Sequence, residues 1–186
     1  TVANFEEKVR LASGAQSVVA VASGMAAISH VFLTIAYAGA NIVASPRLFG
    51  NTYALLRSTL PAFGVEPRFV DVDNPAEIEA AIDEKTCAFF AEVITNPHMD
   101  VPDLPRISHI LRARKVPMVI DSTLVPWGAF DARAAGMDIE VVSTTKYVSG
   151  GATSLGGVVV DYDTFDWSSN PRLAQVPKQR GLSPFA

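Results

Sequence analysis

The chain has 186 residues, 49% apolar, 18% charged and 9% aromatic, a balance that excludes a disordered polymer and bounds it at one or two globular domains. Its net charge is −4 and no Lys/Arg stripe is present, so a nucleic-acid partner has no electrostatic footprint. Cys87 is the single cysteine, which excludes an intramolecular disulfide and a thiolate metal site and fits a reducing cytoplasm.

The stretch from Leu11 to Pro46 carries no charged side chain. Ser23-Gly24, Ser29-His30 and Gly39-Ala40-Asn41 interrupt it too often to leave about 20 continuous apolar residues, so it reads as elements buried on both sides and not as a membrane span. No basic leader precedes it, and no signal peptide is expected. In chain order the pattern predicts a strand at Ser17–Val21, a helix at Met25–Tyr37, a strand at Asn41–Ser45 and a helix at Thr52–Leu60. A strand at Pro67–Val70, a helix at Pro75–Ile82, a strand at Cys87–Glu92 and a helix at Asp103–Arg114 follow, Pro75 and Asp103 being helix-start residues. The last strands are Pro117–Asp121, Ile139–Ser143 and Gly156–Val160, rich in Val and Ile. This alternation predicts an α/β fold with a mostly parallel, doubly wound sheet.

Ligands of open parallel sheets bind beyond the carboxyl ends of the strands. Five strand ends are followed by polar or glycine-containing loops: Ser23-Gly24, Phe49-Gly50-Asn51-Thr52, Glu92 through Pro97, Asp121-Ser122-Thr123, and Ser143-Thr144-Thr145-Lys146. Five converging loops predict one large ligand. Ser23-Gly24-Met25 opens a helix and offers backbone N–H groups to an anion, or else forms a plain tight turn. Neither a nucleoside-triphosphate loop nor a dinucleotide fingerprint accompanies it. Asp121 ends the apolar run Pro117-Met118-Val119-Ile120, where a carboxylate needs either a cation or a hydrogen bond to the next loop. Lys146 follows an uncharged, hydroxyl-rich run; desolvation there makes an amine nucleophilic, the alternative being a lysine that reaches to solvent. His30, His98 and His109 have no metal-ligand spacing, and no metal is assigned.

An anion nest, a buried aspartate and a desolvated lysine are what pyridoxal 5'-phosphate requires. The segments Ser23-Gly24-Met25-Ala26-Ala27, Phe49-Gly50-Asn51-Thr52-Tyr53, Thr95-Asn96-Pro97, Asp121-Ser122-Thr123 and Ser143-Thr144-Thr145-Lys146-Tyr147 resemble, in order, the signatures of the Cys/Met-metabolism pyridoxal-phosphate enzymes. Gly156 to Asp161 with Phe165-Asp166-Trp167 is similar to the O-acetylhomoserine sulfhydrylase branch. The resemblance implies the large domain of the aspartate-aminotransferase-like fold type I, with Lys146 as the lysine bonded to the cofactor and Asp121 on the pyridine nitrogen. It further implies Ser23, Gly24, Met25, Ser143 and Thr145 around the phosphate, Asn96 on the ring hydroxyl oxygen, and Phe49 and Thr123 beside the ring. Phe49 stands where many members carry a tyrosine; it can stack but has no hydroxyl for acid or base work. Gly151-Ala152 replaces a His-containing pair, and Ser122 replaces a frequent asparagine.

Family members are longer, so residues 1–186 are expected to be the cofactor-binding part of a longer chain, beginning inside the first conserved helix and lacking an N-terminal segment and a C-terminal small domain. The expected reaction is γ-replacement on O-acetylhomoserine with sulfide, giving homocysteine and acetate. A γ-lyase, a cystathionine synthase or lyase, and a catalytically silent binding module are the alternatives. The expected partners are an amino-acid substrate, a sulfur donor and further copies of the chain in a homodimer or homotetramer, without nucleic acid or membrane.

Overall fold

The computed structural model of the chain describes residues 1–125 and 127–174 together with Phe185. Its strands are β1 (Ser17–Val21), β2 (Asn41–Ala44), β3 (Glu66–Phe69), β4 (Thr86–Glu92), β5 (Met118–Asp121), β6 (Ile139–Val142) and β7 (Gly157–Asp161). Among the described residues these seven form one sheet in the order β1-β7-β6-β5-β4-β2-β3. Strand β7 runs antiparallel to both its neighbours and every other pairing is parallel, so the remaining six strands point the same way. The mostly parallel expectation holds with that single reversal.

Strands β2, β5, β6 and β7 are buried, or nearly so, on both faces because helices cover both. On one face α2 (Gly24–Ile35) buries Ala27, Ile28, Val31, Phe32 and Ile35 against Ile42, Phe90, Val119, Val141 and Val159. On the other, Leu104, Ile107 and Leu111 of α5 (Leu104–Ala113) pack with Ile78 of α4 (Pro75–Ala81) over Val43, Phe89, Ile120 and Val160. The helix starts are capped by short polar side chains: Ser23 accepts from Ala26 N–H, Asn74 from Ala76 N–H and Asp103 from Arg106 N–H.

Two departures from the expected elements have local causes. Helix α1 (Val2–Ser13) was not signalled by apolar spacing because Val9 is its one buried residue; Glu6 ties it to β1 by accepting the Ala20 N–H at 2.8 Å. The helix expected over 52–60 divides into α3 (Gly50–Ala54), a π-helical turn (Leu55–Thr59) and a 3-10 turn (Leu60–Phe63). Pro61, lacking an N–H, cannot continue α-helical bonding, and Gly64 ends the segment in the left-handed region at φ 78°. No described helix is long and apolar enough to cross a membrane.

Candidate active site

Because β7 alone is reversed, the carboxyl ends of β1, β2, β4, β5 and β6 open on one edge of the sheet, where the amino end of β7 also lies. A cavity of about 820 Å³ occupies that edge, and all five loops singled out in the sequence contribute to its wall. That volume lies within the range of sites that take a cofactor-sized ligand.

The loop after β1 gathers backbone N–H groups at the start of α2. Ser23 Oγ accepts the N–H of Ala26 at 3.0 Å and Ser23 O accepts that of Ala27 at 3.0 Å. The N–H groups of Gly24 and Met25, both in the cavity wall, are left without an acceptor among the described residues. They stand at the positive end of the 12-residue α2. Glycine is required at two points here. A Cβ on Gly24 would stand 2.5 Å from Ser143 Cβ, and one on Gly157 would stand 2.2 Å from Ser23 O. The turn is thereby pressed against Ser143, which lines the same cavity. Thr145 also lines the cavity, but its hydroxyl is engaged by Gly156, donating to the carbonyl at 3.2 Å and accepting the N–H at 3.1 Å.

Opposite this donor-rich corner are two carboxyl groups without a basic partner. Asp121 and Glu92 are register partners at the ends of β5 and β4, so their side chains share a face of the sheet. Asp121 Oδ1 accepts the Thr123 N–H at 2.8 Å, and Thr123 Oγ1 accepts the N–H of Ser143 at 2.8 Å, linking the carboxylate loop to that corner. Burial raises the Asp121 carboxyl above its ordinary range and the negative charge of Glu140 adds to it, while the bonds from Thr123 act the other way. Both sequence alternatives for Asp121 therefore have a counterpart: the bond to the next loop exists, and no basic side chain among the described residues offsets the charge. Glu92, only 4% exposed, is pushed up to about 7, first by burial and further by Asp121, against the opposing bonds from the N–H groups of Phe49 and Asn96.

Lys146, Phe49 and Asn96 complete the wall. The desolvated setting expected for Lys146 is not found: Thr144 and Thr145 are buried, but the turn that begins at Ser143 carries Lys146 past them to an exposed position at the cavity. Phe49, 42% exposed, precedes α3. All ten residues nominated from the sequence thus line one cavity. The sequence reading placed Glu92 and Ile94 in one of the converging loops without giving either a role, and passed over the apolar Ile28 and Leu124. A carboxylate ending the otherwise uncharged run Thr86–Ala91 was the available signal.

Comparisons with known proteins agree with this arrangement. The chain is 38% identical over 170 residues to the homocysteine synthase of Schizosaccharomyces pombe, covering 90% of this chain and 39% of that protein. The O-acetylhomoserine sulfhydrylase of Wolinella succinogenes superposes with a TM-score of 0.87 at 44% identity, over 93% of this chain and 50% of that one. A Campylobacter jejuni structure assigned as an O-acetylhomoserine (thiol)-lyase, and containing pyridoxyl-lysine phosphate, gives 0.83 at 32% identity, over 86% and 39%. The chain therefore spans half or less of the length of these relatives. With the family model for Cys/Met metabolism PLP-dependent enzymes matched over residues 1–186, the chain belongs to that family.

Proposed function

We propose that residues 1–186 form the cofactor-binding large domain of an enzyme that replaces the γ-acetoxy group of O-acetylhomoserine with sulfide, giving homocysteine and acetate. The observation that carries this reading is the placement, in one cavity, of unpartnered N–H groups at a helix start, a buried carboxylate lacking a basic partner, and a lysine. Pyridoxal phosphate fits that set: an anion for the N–H groups and a protonatable ring nitrogen for Asp121. When bound, the cofactor withdraws electrons from the substrate Cα.

Gly24 N–H, Met25 N–H and the Ser143 hydroxyl would hold the phosphate, with the Ser23 cap and Thr145 maintaining the turns around it. Asp121 would pair with the protonated ring nitrogen, which would give the buried carboxylate the cation it lacks. Asn96 would hydrogen-bond the ring hydroxyl oxygen, and Phe49 and Thr123 would line the ring. The Lys146 amine would shuttle the protons, taking them from Cα and then Cβ so that acetate leaves Cγ, and returning protons to Cβ and Cα once hydrosulfide has added at Cγ. Phe49 has no hydroxyl with which to protonate a leaving group, and acetate departs well without one, whereas the thiolate of cystathionine benefits more from an acid. The names of the homocysteine synthase and sulfhydrylase relatives support the same choice. The substrate is thus an acylated homoserine, and the working unit is a homo-oligomer in a reducing cytoplasm, where buried Cys87 stays a thiol.

Competing assays of the full-length protein test this reading. With O-acetylhomoserine and sulfide, homocysteine and acetate should appear faster than 2-oxobutyrate, and O-acetylhomoserine should outcompete cystathionine and methionine. A preference for cystathionine cleavage would move the protein to the lyase branch, and a Phe49→Tyr variant should improve thioether cleavage without gain on the acyl substrate.

A further inference from the structure

Glu92 is the buried ionisable group of the cavity wall to which the reaction above gives no part. Its carboxyl oxygens are divided between the two segments of chain that leave the neighbouring strands β2 and β4: Oε1 accepts the N–H of Phe49 at 2.6 Å, and Oε2 accepts the N–H of Asn96 at 3.0 Å. Phe49 precedes α3 on the connection from β2, whereas Asn96 lies on the loop that leaves β4. One side chain therefore fastens two walls of the cavity to each other at their backbones, and through its register pairing with Asp121 it does so beside the buried carboxylate. A buried N–H deprived of its acceptor is costly, and each carboxyl oxygen of Glu92 supplies one such acceptor, so the two walls are set by this side chain.

We propose that Glu92 is a positioning residue, whose two oxygens fix the separation between the Phe49 wall and the Asn96 wall and so hold open a slot of the thickness and edge geometry a pyridine ring needs. The proposal rests on the reading that this cavity takes pyridoxal phosphate. Glu92 need not touch the ring: it acts through the backbones of Phe49 and Asn96, which carry the side chains that would.

The test uses the full-length protein, with pyridoxal phosphate itself as the probe, added back after its removal. Glu92→Gln keeps the length of the side chain but presents one acceptor oxygen and one NH₂ to two N–H donors. Glu92→Asp keeps the carboxyl group but is one methylene short of spanning both. Each should bind pyridoxal phosphate at least tenfold more weakly than wild type and change the visible circular dichroism of the bound cofactor, which reports ring orientation, while the far-ultraviolet spectrum stays native. In a Phe49→Ala/Asn96→Ala background Glu92→Gln should cost less than threefold further, because the side chains it positions are gone. Binding by Glu92→Gln within twofold of wild type, full binding by Glu92→Asp, or an undiminished loss in the double-alanine background would each overturn the assignment. A wild-type protein that binds no pyridoxal phosphate would overturn the cofactor reading and this proposal with it, an outcome distinguishable from wild-type binding that the Glu92 variants leave unchanged.

Discussion

A carboxyl group at the end of a buried parallel strand is costly to keep ionised, and this protein places two side by side, Glu92 and Asp121. The cost has a measurable sign. With its folded-state pKa at about 7, Glu92 keeps a proton that the unfolded chain has released, so the stability of the cofactor-free protein falls as pH rises from about 4.5 to about 7 and then levels. Asp121 is raised for the same reason and adds in the same direction. Glu92→Gln should flatten this dependence by on the order of 1–3 kcal/mol, read as a smaller drop in melting temperature between pH 5 and pH 7.5 than wild type shows; parallel curves would refute it. Lys146 presents a different case, since exposure leaves it free to meet an aldehyde. Borohydride reduction of the holoprotein followed by peptide mapping should find the pyridoxyl label on Lys146, and a label on Lys115 with Lys146 unmodified would dismiss the assignment.

At the scale of elements, the start of α2 is the most constrained junction, because Ser143 crowds Gly24 and the carbonyl of Ser23 crowds Gly157. Gly157→Ala should displace the Ser23-Gly24 turn, costing roughly 1–3 kcal/mol of stability and lowering pyridoxal phosphate affinity by more than tenfold. A calorimetric scan paired with a cofactor titration checks both, and an unchanged affinity would separate the turn from the phosphate. Much of this was legible in the sequence, because local chemistry and the strand ends agree. Ser23, Asn74 and Asp103 cap as their residue types predict, and the five loops meet where a parallel sheet must bring them. What was not legible depends on neighbours distant in sequence. The exposure of Lys146 follows from the path of a turn, the clamp at Glu92 from two backbones it meets only in the fold, and the reversal of β7 from pairings with β1 and β6. The helix expected over 52–60 is helical throughout but changes from α to π to 3-10 bonding along its length, with Pro61 at the start of the 3-10 turn.

The whole molecule shows an uneven surface around its cavity. Leu155, 81% exposed, and Tyr147, 63% exposed, both line it, and Phe49 stands half open beside them. Large apolar side chains gathered at the rim of a site mark a surface that another protein covers. The homo-oligomer expected for this chain would cover it with a second copy, completing the wall. Sedimentation of the full-length holoprotein at low concentration should therefore find a dimer or larger, with activity lost in parallel with dissociation; a fully active monomer would count decisively against it.

The reversed strand β7 also sets an order of events in time. Among the described residues strand β1 has no neighbour in the sheet except β7, which is translated after all six of the other strands, so the pairing of Ser17 with Asp161 closes a loop almost as long as the described chain. Contacts of such long sequence separation are slow to form, because the entropy of closure is spent before they return any stabilisation. During synthesis β1 waits as an unpaired edge, and the Ser23-Gly24 turn, which rests against Gly157, waits with it. The turn proposed to hold the phosphate is therefore expected to be completed late in folding, and cofactor affinity should appear only once β7 has paired with β1.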